Sequence, residues 1–210
     1  MIGIINMQTN NIQCFIKILI KLKYNYVVIN SYNDYNSNID KLIIPGIGNY
    51  SSCMDYINKN KLKDIIIEHL YNKKKIMGIC IGMQIFTTFG EEGGIIEGLN
   101  IFKDSMTGIL KTDLTLPHIG WNNLLIQNTH DNIFKNVNTK SDFYFVHSYN
   151  VVFDNNENKL DIDILATTKF GEDCEFISII KNENVLGIQF HPEKSGPNGI
   201  QLIKNFLEWI

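Results

Sequence analysis

The stretch Gly78-Ile79-Cys80-Ile81-Gly82-Met83-Gln84 puts a thiol where a nucleophile belongs. Ile76-Met77-Gly78-Ile79 predicts a short buried strand, and Met83-Gln84-Ile85-Phe86 predicts the first turn of a helix, so Cys80 falls on the tight turn between them. Glycines on both sides leave room for a strained turn. The following helix N-terminus aims free backbone N–H groups at the sulfur and favours thiolate over thiol. Taken alone, G-x-C-x-G also reads as a buried core cysteine beside two packing glycines, so the reading as an elbow needs a partner base.

That base is offered by His191-Pro192-Glu193, after the apolar run 185–190. Proline biases His191 towards an extended conformation, in which residues i and i+2 project to one side. His191 can then move a proton between a thiol and a leaving amine while Glu193 fixes its tautomer. A histidine at a strand end is by itself more often structural. An elbow and a His-x-Glu pair, each at the C-terminal end of a predicted strand, together form a Cys-His-Glu triad at the active edge of an α/β sheet. Pro45-Gly46-Ile47-Gly48 also ends a strand. Read alone it is a tight turn or an oxyanion loop; beside an elbow it supplies backbone N–H from Ile47 or Gly48, with Ile81 N–H as the second donor.

The elements that must hold these groups follow from periodicity. Residues 2–6 suit a central parallel strand and 11–23 a helix, with Ile12, Phe15, Ile16, Leu19 and Leu22 on one face. Strands are predicted at 26–29 and 42–44, a loop at 30–40, and helices at 50–58 and 62–71 with Ser51 and Ser52 as caps. Beyond Gly98, short runs at 121–126, 143–146, 162–167, 176–180 and 185–190 predict antiparallel or mixed strands capping the parallel sheet, with an exposed turn at 154–159 and a closing helix at 199–210. The expected architecture is α/β: an open, mostly parallel sheet flanked by helices, with additional antiparallel strands in the C-terminal half. At 210 residues and 44% hydrophobic content, residues 1–210 should form one domain.

Composition narrows the function. A net charge of −3 gives no electrostatic case for nucleic acid or an anionic membrane. The apolar run 12–22 carries Lys17 and Lys21, too polar to cross a bilayer. Cys14, Cys53, Cys80 and Cys174 are widely spaced and nothing at the N-terminus resembles a signal peptide, so disulfides and secretion are not expected and a cytoplasmic location is. All 19 basic residues are lysine, so anions must be met by lysine, backbone amides or a partner.

With these motifs in place, the chain resembles the class I (triad) glutamine amidotransferases throughout residues 1–210. Pro117-His118-Ile119-Gly120-Trp121-Asn122, Phe143-Tyr144-Phe145-Val146-His147-Ser148-Tyr149 and His191-Pro192-Glu193-Lys194-Ser195 are similar to the glutaminase subunits of imidazole glycerol phosphate synthase, which serve histidine biosynthesis. The resemblance implies that Cys80 attacks the carboxamide of glutamine, His191 protonates the departing ammonia, and water cleaves the thioester to glutamate. It implies a glutamine pocket lined by Gln84, Glu92, Ser148 and Tyr149, with Glu92 on the substrate ammonium and Gln84 and the 148–149 backbone on its carboxylate. It implies neither metal nor cofactor, and a heterodimer in which ammonia passes to a (βα)₈-barrel cyclase subunit.

One loop departs from the pattern. Where the family has D-Y-G-x-G-N, this chain has Asn6-Met7-Gln8-Thr9-Asn10-Asn11, matching only the last asparagine. In the family that loop lies near the partner, so the alternative expectation is a paralogue supplying ammonia to an enzyme that amidates a surface sugar. A non-catalytic glutamine sensor on the same fold is a third reading, opposed by the intact Cys80, His191 and Glu193.

Overall fold

The computed structural model describes residues 1–8, 11–153 and 162–210; the turn expected at 154–159 lies outside them. The chain begins β1 (Ile2–Ile5), α1 (Ile12–Lys21), β2 (Tyr26–Ile29), β3 (Lys41–Ile44), α2 (Tyr50–Lys59), α3 (Leu62–Tyr71), β4 (Lys75–Ile79) and α4 (Ile81–Gln84). It continues with β5 (Thr87–Gly90), β6 (Ile96–Glu97), β7 (Phe102–Ile109), β8 (His118–Asn123), β9 (Leu125–Ile126), β10 (Asp142–His147), β11 (Tyr149–Phe153), β12 (Ile162–Lys169), β13 (Glu175–Asn182), β14 (Val185–Ile188) and α5 (Gly196–Leu207).

Five strands run parallel in the order β2-β1-β3-β4-β14, and β13, β12 and β9 continue the same sheet antiparallel. Alternation along the strands sends Ile4, Ile43, Met77 and Ile79 to one face, where Phe15 and Leu19 of α1 and Leu202, Ile203 and Phe206 of α5 cover them. Ile5, Leu42, Ile44 and Ile76 face the other side, under Met54 and Ile57 of α2 and Ile65 and Ile66 of α3. Burial decides the helices. The isoleucines of α1 are mediocre helix formers, but Ile12, Phe15, Ile18 and Leu19 are buried, at about 1.5–3 kcal/mol for each fully covered side chain.

The parallel half and the helices α1, α2, α3 and α5 match the expectation to within a few residues. Four details differ. The strand 185–188 does not cap the sheet but lies inside it, parallel to β4. The helix after Cys80 is only four residues long, because Thr87 and Thr88 leave it for β5, which pairs with the unanticipated β7. That pairing belongs to a separate four-stranded sheet, β11-β7-β5-β6, while β8 and β10 form their own antiparallel pair. Finally, α2 is capped by the Asn49 side chain, which accepts from Ser52 N–H, rather than by Ser51 or Ser52.

Candidate active site

The three motifs leave the C-terminal ends of three neighbouring parallel strands. β3, β4 and β14 are adjacent, with Ile44 opposite Gly78 and Ile188 opposite Ile79. Pro45-Gly46-Ile47-Gly48 follows β3, Cys80 follows β4, and His191 lies three residues past the end of β14. Cys80 N–H donates to Ile188 O at 2.7 Å, which ties the elbow to the histidine strand.

The turn at Cys80 is strained. Its backbone has φ +52° and ψ −112°, a region that side-chain-bearing residues rarely adopt. The glycines make this possible by contact as much as by flexibility. A Cβ on Gly82 would lie 1.8 Å from Ile44 O, one on Gly78 2.3 Å from Gly82 O, and one on Gly46 2.1 Å from Ile81 Cγ2. The elbow therefore packs backbone to backbone on the end of β3, and the oxyanion loop closes on it against the Ile81 side chain. Gly48 has φ +154°, and a Cβ there would meet only Cys53 Sγ, at an ordinary contact distance of 3.8 Å. Among the described residues, the N–H groups of Ile47, Gly48 and Ile81 are engaged in no hydrogen bond. A four-residue helix has a smaller dipole than the longer helix expected, so its contribution to the thiolate is correspondingly smaller.

His191 and Glu193 meet as expected, by a different route. His191 is extended, but Pro192–Lys194 forms a 3₁₀ turn that carries Glu193 back to the ring. Glu193 Oε1 accepts from His191 Nδ1 at 2.8 Å and from Asn11 Nδ2 at 3.1 Å, all within a site closed to solvent. The Nδ1 proton is thereby fixed, leaving Nε2 for chemistry; Nε2 has no well-formed hydrogen bond. Burial opposes a charged imidazole, but the adjacent Cys80 and the Glu193 carboxylate outweigh it and hold His191 protonated above the usual histidine range. The backbone is clipped in place: His191 N–H donates to Tyr144 O, and Ser195 Oγ donates to His191 O while accepting from Tyr144 N–H.

A cleft of about 150 Å³ opens on Cys80. Ile47, Gly48, Gln84, Glu92, Ser148 and Tyr149 line it, so every expected pocket residue is there, and Pro117, Val146 and His147 join them. Ile81 lies buried beneath. Glu92 Oε2 accepts from Tyr50 N–H at 2.8 Å, at the N-terminus of α2. Gln84 is more constrained than expected. Its NH₂ group donates to Tyr149 O at 2.8 Å and to Gln189 Oε1 at 3.2 Å, so it can meet a carboxylate only by giving up one of these bonds. Ser148 O is likewise taken, by Leu110 N–H.

Behind the cleft His147 Nδ1 donates to Tyr149 O at 2.9 Å, which leaves its Nε2 bare to accept from His118 Nδ1 at 3.3 Å. Burial pushes His147 down to about 3 and His118 down to about 4, so both are neutral. Phe145 and Phe170 stack on His118.

The family described as glutamine amidotransferase class-I matches residues 4–209. The chain belongs to that family. This amidotransferase is 44% identical over 169 residues to the imidazole glycerol phosphate synthase subunit HisH of Buchnera aphidicola, covering 80% of each chain. It is 38% identical over 210 residues to the HisH subunit of Methanocaldococcus jannaschii, covering 100% of both. Its backbone is similar to that of a chain in the structure of PurLQS from Thermotoga maritima, with a TM-score of 0.72, 17% identity, and 99% and 97% of the two chains covered. That likeness concerns the fold.

Sequence reasoning did not single out two side chains that the amidotransferase brings to the site. Asn11 reaches Glu193, and its signal was its match to the last position of the family's first-loop pattern. Gln189 Nε2 reaches Cys80 Sγ at 3.8 Å. Gln189 opens the stretch Gln189-Phe190-His191-Pro192-Glu193 that resembles the family, but the contact itself crosses from β14's end to β4's and could not be read from that stretch.

Proposed function

We propose that this amidotransferase is the glutaminase subunit of an imidazole glycerol phosphate synthase, hydrolysing glutamine to glutamate and ammonia for a cyclase subunit in histidine biosynthesis. The observation that carries the chemistry is the meeting of Cys80, the His191–Glu193 pair and three free N–H groups at the ends of adjacent strands. The Cys80 thiolate attacks the carboxamide carbon. The oxyanion is held by Ile81 N–H and by Ile47 or Gly48 N–H. Protonated His191 gives its Nε2 proton to the amine, the C–N bond breaks, and ammonia leaves. His191, now neutral, takes a proton from water as the hydroxide attacks the thioester, and glutamate departs. Glu92 meets the substrate ammonium with its second carboxylate oxygen, and Ser148 and Tyr149 line the substrate's other end.

The pathway rests on relatives of 44% and 38% identity that bear that subunit's name. The surface-sugar alternative has no comparable support. Exposed apolar side chains support a partner: on β8, Ile119 and Trp121 are 60% and 58% exposed, and Ile47, at the cleft, is 40% exposed. Among the described residues no helix is long and apolar enough to cross a membrane. Residues 1–210 are read as one domain that binds its cyclase in the cytoplasm.

Complementation tests the pathway. Expressed with the cyclase subunit of its own cell in a histidine auxotroph lacking both subunits, the chain should restore growth without histidine. Soluble, glutaminase-active protein that fails to do so would return the sugar reading. Cys80→Ala tests the chemistry: glutaminase activity should fall by several orders of magnitude, while the complex still forms and its synthase still runs on ammonium salts.

A further inference from the structure

A chain of amide contacts runs from β11 to the nucleophile. Tyr149 O is an acceptor only, so the Gln84 side chain must turn its NH₂ towards it. The same NH₂ then faces Gln189 Oε1 at 3.2 Å, which obliges Gln189 to present its own NH₂ in the opposite direction. There it meets Cys80 Sγ at 3.8 Å. Gln189 is 0% exposed, so no bulk water competes for its amide, and Gln84 Nε2 holds its Oε1. Val146 O also lies 3.8 Å from the sulfur; it can accept a hydrogen bond from a thiol but offers nothing to a thiolate.

We propose that Gln189 is a catalytic donor to the nucleophile: its side-chain NH₂ stabilises the Cys80 thiolate and aims it into the cleft, and Tyr149 O, acting through Gln84, sets which end of the Gln189 amide faces the sulfur. This deepens the reading of Cys80 as the nucleophile and rests on it. An N–H donor prefers the charged form of sulfur, whereas Val146 O prefers the protonated one, so the two neighbours pull the thiol in opposite directions. The short α4 makes such a donor more necessary, since the helix dipole is small there. The titratable groups around the sulfur are His191 beyond β14, Cys53 on α2, and Glu92 and His147 across the cleft. All four side chains are kept in the Gln189 variants, and His191, which is held protonated by Cys80, follows the sulfur's ionisation.

The test reads the thiol directly. The full chain and its Gln189→Met and Gln189→Glu variants are alkylated with iodoacetamide from pH 5 to 10, and modification of the Cys80 peptide is followed by mass spectrometry. Met fills the volume without a donor, and Glu replaces the donor by an anion. The expected result is a Cys80 profile displaced upwards by about one pH unit in Gln189→Met and further in Gln189→Glu, with a tenfold or greater loss of kcat and little change in KM for glutamine. Profiles that superimpose on the parent's in folded variants would overturn the proposal. If the variants do not fold, ¹⁵N-glutamine labelling of the unaltered chain gives the answer: the Gln189 NH₂ resonance should shift as Cys80 titrates and stay constant in Cys80→Ala. A resonance that ignores the thiol's titration overturns the proposal equally. Neither thiol readout requires turnover. A chain that hydrolyses no glutamine yet shows these shifts would refute the functional reading and leave the Gln189 contact standing.

Discussion

Asn11 carries the triad one residue further than chemistry alone requires. A buried carboxylate is costly unless its oxygens are bonded, and Glu193 is bonded through Oε1 alone, to His191 Nδ1 and Asn11 Nδ2, while Oε2 has no partner among the described residues. Losing a hydrogen bond to a charged group costs about 1.5–3 kcal/mol, so Asn11→Ala should lower kcat by about tenfold or more with KM little changed. Asn11→Asp keeps the shape but faces one carboxylate with another, and should be worse than alanine. Steady-state glutaminase assays give the order; a fully active Asn11→Asp would mean that Glu193 needs no such support. Asn11 also ends the loop whose sequence departs from the family, so the one retained position is the one bonded to the triad.

Among the elements, the elbow and the oxyanion loop behave as one piece. Ile44 O fills the space beside Gly82, and a methyl group 1.8 Å from a carbonyl oxygen cannot be accommodated without moving β3 away from β4. Gly82→Ala should therefore leave little soluble folded protein. Gly48→Ala meets only Cys53 Sγ, at 3.8 Å, but must hold φ +154°. It should fold, at a cost of about 1–3 kcal/mol, and lose turnover by tenfold or more as the strained backbone relaxes and turns the Ile47 and Gly48 N–H groups from the cleft. Circular dichroism and assay of the two variants separate these outcomes; a folded and active Gly82→Ala would show that the interlock is dispensable. These glycines, the triad and the helices α1, α2 and α3 were legible in the sequence, because apolar spacing and G-x-C-x-G are local signals. β5, β7 and β11 were not. β7 runs through Lys103, Asp104 and Ser105, and Asp104 has φ +55° where the β5–β7 register shifts, so no two-residue alternation survives to be read. The Gln84–Gln189 contact was equally invisible, since it depends on which strands become neighbours.

For the whole molecule, three buried neutral histidines set the acid limit. His69 and His118 are pushed down to about 4 and His147 to about 3, in each case first by burial. Their folded values lie below the ordinary 6.5, so the unfolded chain binds protons that the folded one refuses. The stability they allow is whole above pH 6.5 and drains away as pH falls towards 4 and 3, by up to about 1.4 kcal/mol per histidine per pH unit. His191 runs the other way: raised in the fold, it favours folding most below 6.5 and loses that contribution at alkaline pH. Thermal melts from pH 8 to pH 5 should show Tm dropping steeply on the acid side, and a flat profile would count against buried neutral imidazoles. The backbone at Cys80 has a parallel consequence for heat. Glycine normally destabilises a fold relative to alanine by roughly 0.5–1 kcal/mol, yet at φ +52° and ψ −112° it alone fits without distortion. Cys80→Gly should thus melt above Cys80→Ala, reversing the usual order by a few degrees. The working nucleophile is a spring held compressed by the fold around it, and a protein relieved of it would be the hardier and the idle one.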